Sequence, residues 1–389
     1  MRTLLITGPG GSGRTTVAAA TALGAAREGV KTLVLSADRT DTLGAALGVA
    51  TGAVPVKAGP NLTAWRPDAT AGFRDDLTAF QDRASTVLDL LGASRLDPEE
   101  VTPLPGAEEL TLLRALRDAA LAESADLHEL LVVDLPAAPQ ALTLLALPEE
   151  LRRYLRRLLP PERQAARALR PVLGRLAGVP MPAEWLYETT ARWDMELAAV
   201  EAVLADRRTA VRLVAEPGPA GADAVRDARL GLALRGLSVE SLLANRVLPE
   251  ERGGDWLAGL HTQQQKILGE WDDARTVAHL GRDPRGPDDL AALAVPGVNP
   301  AVSPVEWPVE DRIAADGVLV WHLPLPGALR DELDLVRRGE ELVISAGPFR
   351  RIVPLPSALR RCTVRGAALR DGELRVRFTP DPALWPRTR

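Results

Sequence analysis

The sequence is poor in cysteine, methionine, lysine and aromatic residues. Among its 389 residues there are one cysteine, Cys362, and three methionines. A single cysteine excludes an intrachain disulfide and any metal site built from several thiolates. Cys362 lies among β-type runs, so we expect it to be a small buried apolar residue. The four histidines are scattered, and no two of them have metal-ligand spacing.

Long apolar runs are also missing. The first run, "LLIT", is much shorter than the ~20 residues that cross a bilayer, and it lacks the features of a secretory signal. We therefore expect no integral membrane segment and a cytoplasmic protein. The formal net charge is −5 and the pI is near 5.6, a balance that does not predict nucleic acid as a partner.

The first two thirds of the chain alternate apolar runs with helix-like stretches. This order is typical of a parallel α/β sheet flanked by helices. The length of 389 residues, 46% of them hydrophobic, is sufficient for two domains. The candidate buried strands are residues 3–7, 31–38, 130–136, 209–217 and 239–247.

Two zones, at about 71–125 and 140–180, have helical patterns, and we expect them to form a helical insertion. In the first zone the apolar residues recur at helix spacing: Phe73, Leu77, Phe80, Val87, Leu88 and Leu91. The second zone carries a dense arginine face: Arg152, Arg153, Arg156 and Arg157. Such a charge run favours a solvated helix face, and it also fits a surface for a protein partner or client.

The pattern changes after a stretch rich in proline and glycine. Short β-type runs follow, and the last one alternates, with Leu374, Val376 and Phe378 on one face. Asp371-Gly372 before it predicts a tight hairpin turn. We therefore expect a first domain over 1–295, a linker over 296–315 and a small all-β C-terminal domain over 316–380.

The stretch "GPGGSGRTT" follows the first predicted strand and precedes a helix. A phosphate-binding loop reads G-x-x-x-x-G-K-[ST], and here the lysine position holds Arg14. The backbone N–H groups of such a loop point at the phosphate, and the Thr15 hydroxyl binds Mg²⁺. The predicted nucleotide-binding residues are Gly8, Gly10, Gly11, Ser12, Gly13, Arg14, Thr15 and Thr16. A glycine-rich turn without a ligand is the alternative.

Two acidic residues end the second and third predicted strands. Asp38 and Asp134 would then lie at the carboxyl edge of the sheet, where ligands bind in such folds. Asp134 follows four apolar residues and fits an acid that holds Mg²⁺ through water. The glycine-rich loop followed in order by these two acidic residues favours a nucleotide site more strongly than any one of the three features alone.

Several stretches together resemble the arsenical pump-driving ATPase (ArsA) family, which includes the ATPase that targets tail-anchored membrane proteins. The family loop G-K-G-G-V-G-K-T-[ST] is similar to "GPGGSGRTT", its switch I to "SADRTDTL" and its switch II to "DLPAAPQALTLL". "PLPGAEEL" resembles the family segment P-G-x-x-E. "LPLPGALRDELDLVRRGEELVISAGPFRRIVPLP" looks like the small-heat-shock domain that many bacterial members carry.

The resemblance implies an ATP-binding P-loop ATPase with ATP and Mg²⁺ as cofactors. Asp38 would orient the attacking water, and Arg14 would act on the transferred phosphate. Thr15 and Asp134 would hold Mg²⁺, the latter through water, and Asn245 in "LLANRV" would recognise adenine. The family also implies a homodimer and a protein client.

The sequence departs from the family pattern in the phosphate loop, where the family has a charged lysine, and in switch II, which moves with the nucleotide state. The signature lysine that reaches a dimer partner's phosphates is replaced by Pro9, and switch II has Pro139 and Gln140 in place of glycine and histidine. Loss of such a charge typically costs ~10²–10³ in rate. We therefore expect weak hydrolysis, and the alternative is a pseudo-ATPase that serves as an interaction protein. Three methionines do not support a methionine-lined client groove.

Overall fold

The structure is a computed structural model. It describes residues 1–389 except 84, 86–87, 90–91, 93, 123–127, 159–182, 250–253, 300–301 and 386–389. Side chains are also not described for 183–187. The predicted helical positions Val87 and Leu91 lie outside the described residues, and so does the whole second half of the zone 140–180.

The centre of the molecule is an eight-stranded sheet in the order β3-β4-β2-β5-β1-β6-β7-β8. All neighbouring strands are parallel except β3 and β4, which are antiparallel. Its strands are β1 Arg2–Thr7, β2 Thr32–Ser36, β3 Val56–Gly59, β4 Leu62–Trp65, β5 Leu130–Asp134, β6 Thr209–Ala215, β7 Val239–Val247 and β8 Ala274–Ala278.

Helices cover both faces of this sheet, and a separate apolar core fills each side. The central strands are buried on both faces, which explains why their sequences are uninterrupted apolar runs. The helices are α1 Arg14–Arg27, α2 Thr42–Leu47, α3 Ala69–Arg83, α4 Ala107–Leu121, α5 Ala138–Leu158, α6 Ala183–Ala205, α7 Pro219–Leu234, α8 Asp255–Glu270 and α9 Gly286–Ala292. The predicted α/β class with a flanked parallel sheet is confirmed.

The described C-terminal part is all-β, as predicted, apart from two short α-helices and one 3-10 turn at Arg330–Glu332. A four-stranded sheet has the order β14-β15-β10-β9, and a three-stranded sheet has the order β11-β12-β13. These elements are β9 Val309–Arg312, α10 Ile313–Asp316, β10 Val318–Pro324, β11 Leu333–Arg338, β12 Glu341–Ala346, β13 Phe349–Pro354, α11 Ser357–Arg360, β14 Cys362–Arg370 and β15 Glu373–Pro380. One apolar core lies between the sheets, and Cys362 is buried in it.

The β14–β15 hairpin agrees with the strand and turn predicted from the sequence. Leu374, Val376 and Phe378 are fully buried, on the predicted inward face. Asp371 and Gly372 both have left-handed φ values, 52° and 71°. A two-residue turn with two positive φ values matches the twist of an antiparallel pair, which is why Asp-Gly marks such turns.

The stretch expected to be a linker, 296–315, contains regular structure. Val309–Arg312 forms the edge strand β9 and pairs with β10. The first residues of the stretch are attached to the main sheet. The buried Arg212 guanidinium of β6 donates to the carbonyls of Pro296 and Gly297, both at 2.9 Å.

The C-terminal sheets pack against α7 of the main sheet. Leu230 and Leu234 of α7 belong to the C-terminal core. Arg351 of β13 donates to the Leu234 carbonyl at 2.9 Å and to Glu149 of α5 at 3.1 Å. The two parts therefore share both an apolar core and charged contacts.

Ion pairs within the chain account for the arginine face of α5. Arg152 pairs with Asp194, at 3.0 Å, and with Glu201 of α6, while Arg156 lies 3.5 Å from Asp194. Arg153 and Arg157 both pair with Glu341 of β12, at 3.3 and 3.1 Å. The face therefore contacts α6 and the C-terminal sheets, whereas the charge run alone favoured a solvated helix face.

Within the described part of the chain, every helix is too short or too polar to cross a membrane.

Candidate nucleotide-binding site

The glycine-rich loop forms the turn between β1 and α1 at the carboxyl edge of the sheet. A Cβ on Gly8 would collide with the Val214 carbonyl of β6. Gly13 starts α1 with a left-handed φ of 85°, and a Cβ there would collide with the Asn245 amide. Ser12 is buried, and its hydroxyl donates to the Pro9 carbonyl at 2.9 Å. The loop backbone is therefore closely packed against its neighbours, and only glycine fits at positions 8 and 13.

Asp134 ends the central strand β5 beside this loop. It lies in register with Ile6 of β1 and with Ser36 of β2, whose hydroxyl donates to Asp134 Oδ2 at 2.9 Å. Its Oδ1 is buried without a hydrogen-bond partner among the described residues. Burial raises the pKa of Asp134 to about 6, against the lowering effect of the Thr15 and Ser36 hydroxyls.

This arrangement fits a divalent cation. A buried carboxylate oxygen without a donor is costly unless a positive charge or a donor approaches it. The neighbouring Thr15 hydroxyl is a hard oxygen ligand, which Mg²⁺ prefers. Within the described part of the chain, no cluster of three or more histidine, cysteine or acidic side chains forms a complete metal site by itself. A cation here would therefore take further ligands from water or phosphate.

Arg14 is directed at the segment that follows Asp134. Its guanidinium donates to the Leu135 carbonyl. The same segment is attached to the loop strand, because the Leu135 N–H donates to the Ile6 carbonyl and the Ala138 N–H to the Gly8 carbonyl, both at 2.9 Å. The first turn of α5 is thus connected directly to the phosphate-loop backbone.

Asp38 lies at the same edge but is exposed to solvent. Its carboxylate accepts from the Thr42 hydroxyl at 2.7 Å and from Thr40 at 3.2 Å. Its negative charge contributes to the raised pKa of Asp134, so the two acids are close. Asp38 therefore shapes the turn after β2 and lies close enough to Asp134 to affect its charge.

Another acidic residue of this segment has a structural role. Asp41 caps α2 by accepting from the Gly44 N–H at 2.9 Å, and it accepts from the Thr51 N–H at 2.8 Å. Hydrogen bonds from Thr51 and Gly44 outweigh burial and lower the pKa of Asp41. Arg39 forms an ion pair with Glu108 at the start of α4. Both contacts join the segment after β2 to neighbouring elements.

Asn245 lies near the end of β7, directly beside the loop. Its side-chain amide donates to the Ser12 carbonyl at 2.7 Å and is buried. The next residue, Arg246, has a left-handed φ of 56° and donates to the Gly11 carbonyl at 3.0 Å. Arg246 also pairs with Glu216 at 2.6 Å.

The sequence reasoning did not identify Arg246 and Glu216. Glu216 follows the buried run of β6 as Asp134 follows that of β5, so its strand-end position was a usable signal. The position of Arg246 depends on its positive φ, which no sequence pattern indicates.

A cleft of about 630 Å³ opens next to the loop. One wall consists of loop residues Pro9–Ser12, and the other consists of residues from the end of β6, from β7 and from α8. Leu248 and Leu260 give it apolar surface, and Glu216, Arg246 and Gln264 give it polar groups. Its size is that of a small-molecule site with a few converging polar side chains.

Comparison with known proteins decides the family. Residues 1–280 match the ArsA ATPase family, described as anion-transporting ATPases, and residues 316–378 match the HSP20-like domain found in ArsA. The chain belongs to the ArsA family. The family match therefore supports the predicted class, an ATP-binding P-loop ATPase, in addition to the loop motif.

Relatives of this ArsA-family protein match it over nearly its whole length. An uncharacterized protein of Streptomyces coelicolor is 75% identical over 393 residues, 100% of both chains. A protein of Mycobacterium tuberculosis is 33% identical over 433 residues, 99% of this chain and 97% of its own. An Aquifex aeolicus protein that carries the name of an arsenical pump-driving ATPase is 25% identical over 401 residues, 97% of this chain and 99% of its own.

Proposed function

We propose that this ArsA-family protein binds Mg-ATP at the loop Gly8–Thr16, hydrolyses it slowly and couples nucleotide binding to a protein partner. The observation that carries the proposal is the buried Asp134 carboxylate beside Thr15, with one oxygen that has no donor among the described residues. A P-loop nucleotide brings the cation that such an oxygen requires.

The loop residues have separate roles in this proposal. Backbone N–H groups of Gly10, Gly11 and Gly13, together with Ser12 and Thr16, surround the phosphates at the start of α1. Thr15 and Asp134 hold Mg²⁺, Asp134 through water. When bound, Mg²⁺ neutralises charge that develops on the phosphates during transfer. Asp38, at the same edge, orients water.

The nucleoside occupies the cleft beside the loop. Asn245 donates to the carbonyl of Ser12, which lines this cleft, and Arg246 lines the cleft as well. Asn245 holds the Ser12 carbonyl with its amide nitrogen, so its carbonyl oxygen is the group that would accept from the adenine amino group.

Slow hydrolysis follows from the two altered cationic positions. Pro9 has no charge to offer a phosphate. Arg14 keeps the charge, but its guanidinium is bonded to the Leu135 carbonyl, so it must leave that acceptor to reach a phosphate. Arginine is also planar and larger than lysine, and the two do not place charge in the same way.

Helix α5 is the element that supports coupling to a partner. It starts at Ala138, whose N–H is bonded to the Gly8 carbonyl, and it carries Glu149, which pairs with Arg351 in the C-terminal part. A shift of the loop on nucleotide binding would therefore act on the contact between the two parts. A homodimer, as in the family, would present two such surfaces.

A pseudo-ATPase is the second candidate, and the Arg14–Leu135 contact favours it. In that case the guanidinium would act as a permanent link between the loop and α5. The nucleotide, if bound, would be a structural ligand without turnover.

Recognition of adenine is tested by comparing ATP with inosine triphosphate, which lacks the exocyclic amino group. We expect the wild-type protein to bind Mg-ATP about tenfold more tightly, since one hydrogen bond to a buried acceptor is then lost. Asn245→Ala should remove this preference. Because the ratio is taken within each protein, any general weakening of the loop cancels. Equal affinities in the wild-type protein, or an unchanged ratio in the variant, would contradict the assignment.

A further inference from the structure

A second cavity, of about 370 Å³, lies far from the nucleotide edge, where α5, the end of α7 and the three-stranded sheet meet. Helix α5 starts at the carboxyl edge of the main sheet and runs back along it, so its second half reaches the opposite side. We call this cavity the arginine cleft. Its charged lining contains six arginines: Arg153, Arg157, Arg235, Arg338, Arg350 and Arg351.

Carboxylates balance only half of this positive charge. Glu149 pairs with Arg351 at 3.1 Å, and Glu150 pairs with Arg235 at 3.3 Å. Glu341 is shared by Arg153 and Arg157, at 3.3 and 3.1 Å. Among the described residues, six guanidinium groups thus face three carboxylates, which leaves an excess of three positive charges at the cleft.

Two of the arginines have no acidic partner within the described part of the chain. Arg338, at the end of β11, and Arg350, in β13, are exposed at the mouth of the cleft and form no ion pair there. Tyr154 of α5 lies at the same mouth with a hydroxyl group. These groups are available to a ligand without breaking a contact that holds the fold.

The inner part of the cleft holds like charges close together. Arg235 and Arg351 both contact Glu149, at 3.9 and 3.1 Å. Burial lowers the pKa of Arg235, and the neighbouring positive charge of Arg351 lowers it further. Glu149 offsets this repulsion in part, and a further anion in the cleft would reduce it more.

We propose that the arginine cleft binds a compact, multiply charged phosphate anion of the size of pyrophosphate or triphosphate. The planar guanidinium fork presents paired donors that match phosphate oxygens, and arginine is preferred where phosphate is recognised. The volume suits a small molecule rather than an extended chain, and the excess of three charges matches a short phosphate chain. The proposal is independent of ATP binding at the loop.

The probe is sodium tripolyphosphate, titrated calorimetrically without Mg²⁺ into the full-length protein. Because the nucleotide loop also binds phosphates, the titrations are made in the Arg14→Ala background as well as in the wild type. The test variant is Arg338→Gln/Arg350→Gln. The matched control is Arg365→Gln/Arg370→Gln, which removes two exposed arginines from β14 and leaves the cleft intact.

In the Arg14→Ala background, we expect the test variant to bind tripolyphosphate about 10- to 100-fold more weakly, because two charge-assisted contacts are lost. The control pair should keep the affinity. Arg338→Lys/Arg350→Lys, which retains the charge but not the fork, should show an intermediate loss. Equal melting temperatures would show that all three proteins are folded.

Three results would overturn the proposal. Unchanged affinity in Arg338→Gln/Arg350→Gln would remove the cleft as the site. An equal loss in the β14 control would mean that general surface charge binds the probe. Displacement of tripolyphosphate by an equal concentration of a deca-glutamate peptide would mean that the cleft is a docking site for an acidic segment of another protein.

Discussion

Replacing Arg212 by methionine is expected to lower the free energy of unfolding by about 3–5 kcal/mol. Arg212 lies in the middle of β6 with no exposed surface, and its guanidinium pairs with the buried Glu240 carboxylate at 2.6 Å. Glu240 also accepts from the Asn299 N–H at 3.1 Å. Removing the arginine leaves a buried charge without its counter-ion, and it frees the chain segment that leads to the C-terminal part.

Urea unfolding followed by circular dichroism measures this effect. Arg229→Met is the matched control, because its partner Asp273 is exposed and the pair should contribute under about 1 kcal/mol. Arg212→Met/Glu240→Gln should recover part of the loss, since no unpaired buried charge remains. An Arg212→Met protein as stable as the control would show that the pair does not hold these segments together.

Restoring the two family lysines is expected to increase ATP hydrolysis by about 10²–10³-fold. In Pro9→Lys/Arg14→Lys, both altered positions again carry the ammonium group that the family loop has. Proline at position 9 donates no backbone hydrogen bond, and the Pro9 carbonyl that accepts from Ser12 is kept in any residue. Pro9→Lys therefore adds charge without removing a loop contact, and Arg14→Lys keeps the charge while it removes the guanidinium contact to the Leu135 carbonyl.

Phosphate release under single-turnover conditions checks this prediction, with Pro9→Gln/Arg14→Lys as the control that removes proline without adding charge at position 9. Because the first lysine acts across a dimer in the family, the gain should grow with protein concentration. If the double lysine variant hydrolyses ATP no faster than wild type, the altered charges at positions 9 and 14 do not limit hydrolysis, and the pseudo-ATPase alternative gains support.

Much of the fold could be predicted from local pattern. Uninterrupted apolar runs located β1, β2, β5, β6 and β7, because strands buried on both faces need apolar residues at every position. The edge strand β8 was not predicted, since only Val277 in it is buried. Likewise β9 has no buried residue, and its strand conformation depends on pairing with β10. Edge strands carry little periodic signal, so sequence reasoning misses them.

The candidate site was predicted in outline but not in its contacts. The glycine loop and Asp134 could be read from spacing, because both motifs are local. The Arg14–Leu135 contact joins residues 121 positions apart, and the Asn245–Ser12 contact joins residues 233 positions apart. Such contacts depend on strand order. The buried Arg212 was not anticipated either, since charged side chains are seldom buried without a partner.

The arginines of α5 illustrate a different limit. Their spacing on one helix face is visible in the sequence, but their acidic partners lie on α6 and β12. Only the tertiary structure separates the arginines that hold the fold from Arg338 and Arg350, which have no acidic partner within the described residues. The sequence therefore predicted an arginine-rich face on α5, but it did not predict which acidic residues that face contacts.

Calorimetric titration with Mg-ATP tests the central claim most directly. We expect the wild-type protein to bind about one nucleotide per chain, with Thr15→Ala and Asp134→Ala each weakening binding by about tenfold or more. Thr363→Ala, in β14, is the control that should leave the affinity unchanged. If the wild-type protein binds neither ATP, ADP nor a slowly hydrolysed analogue, the loop is a structural turn and the account of a nucleotide site is contradicted.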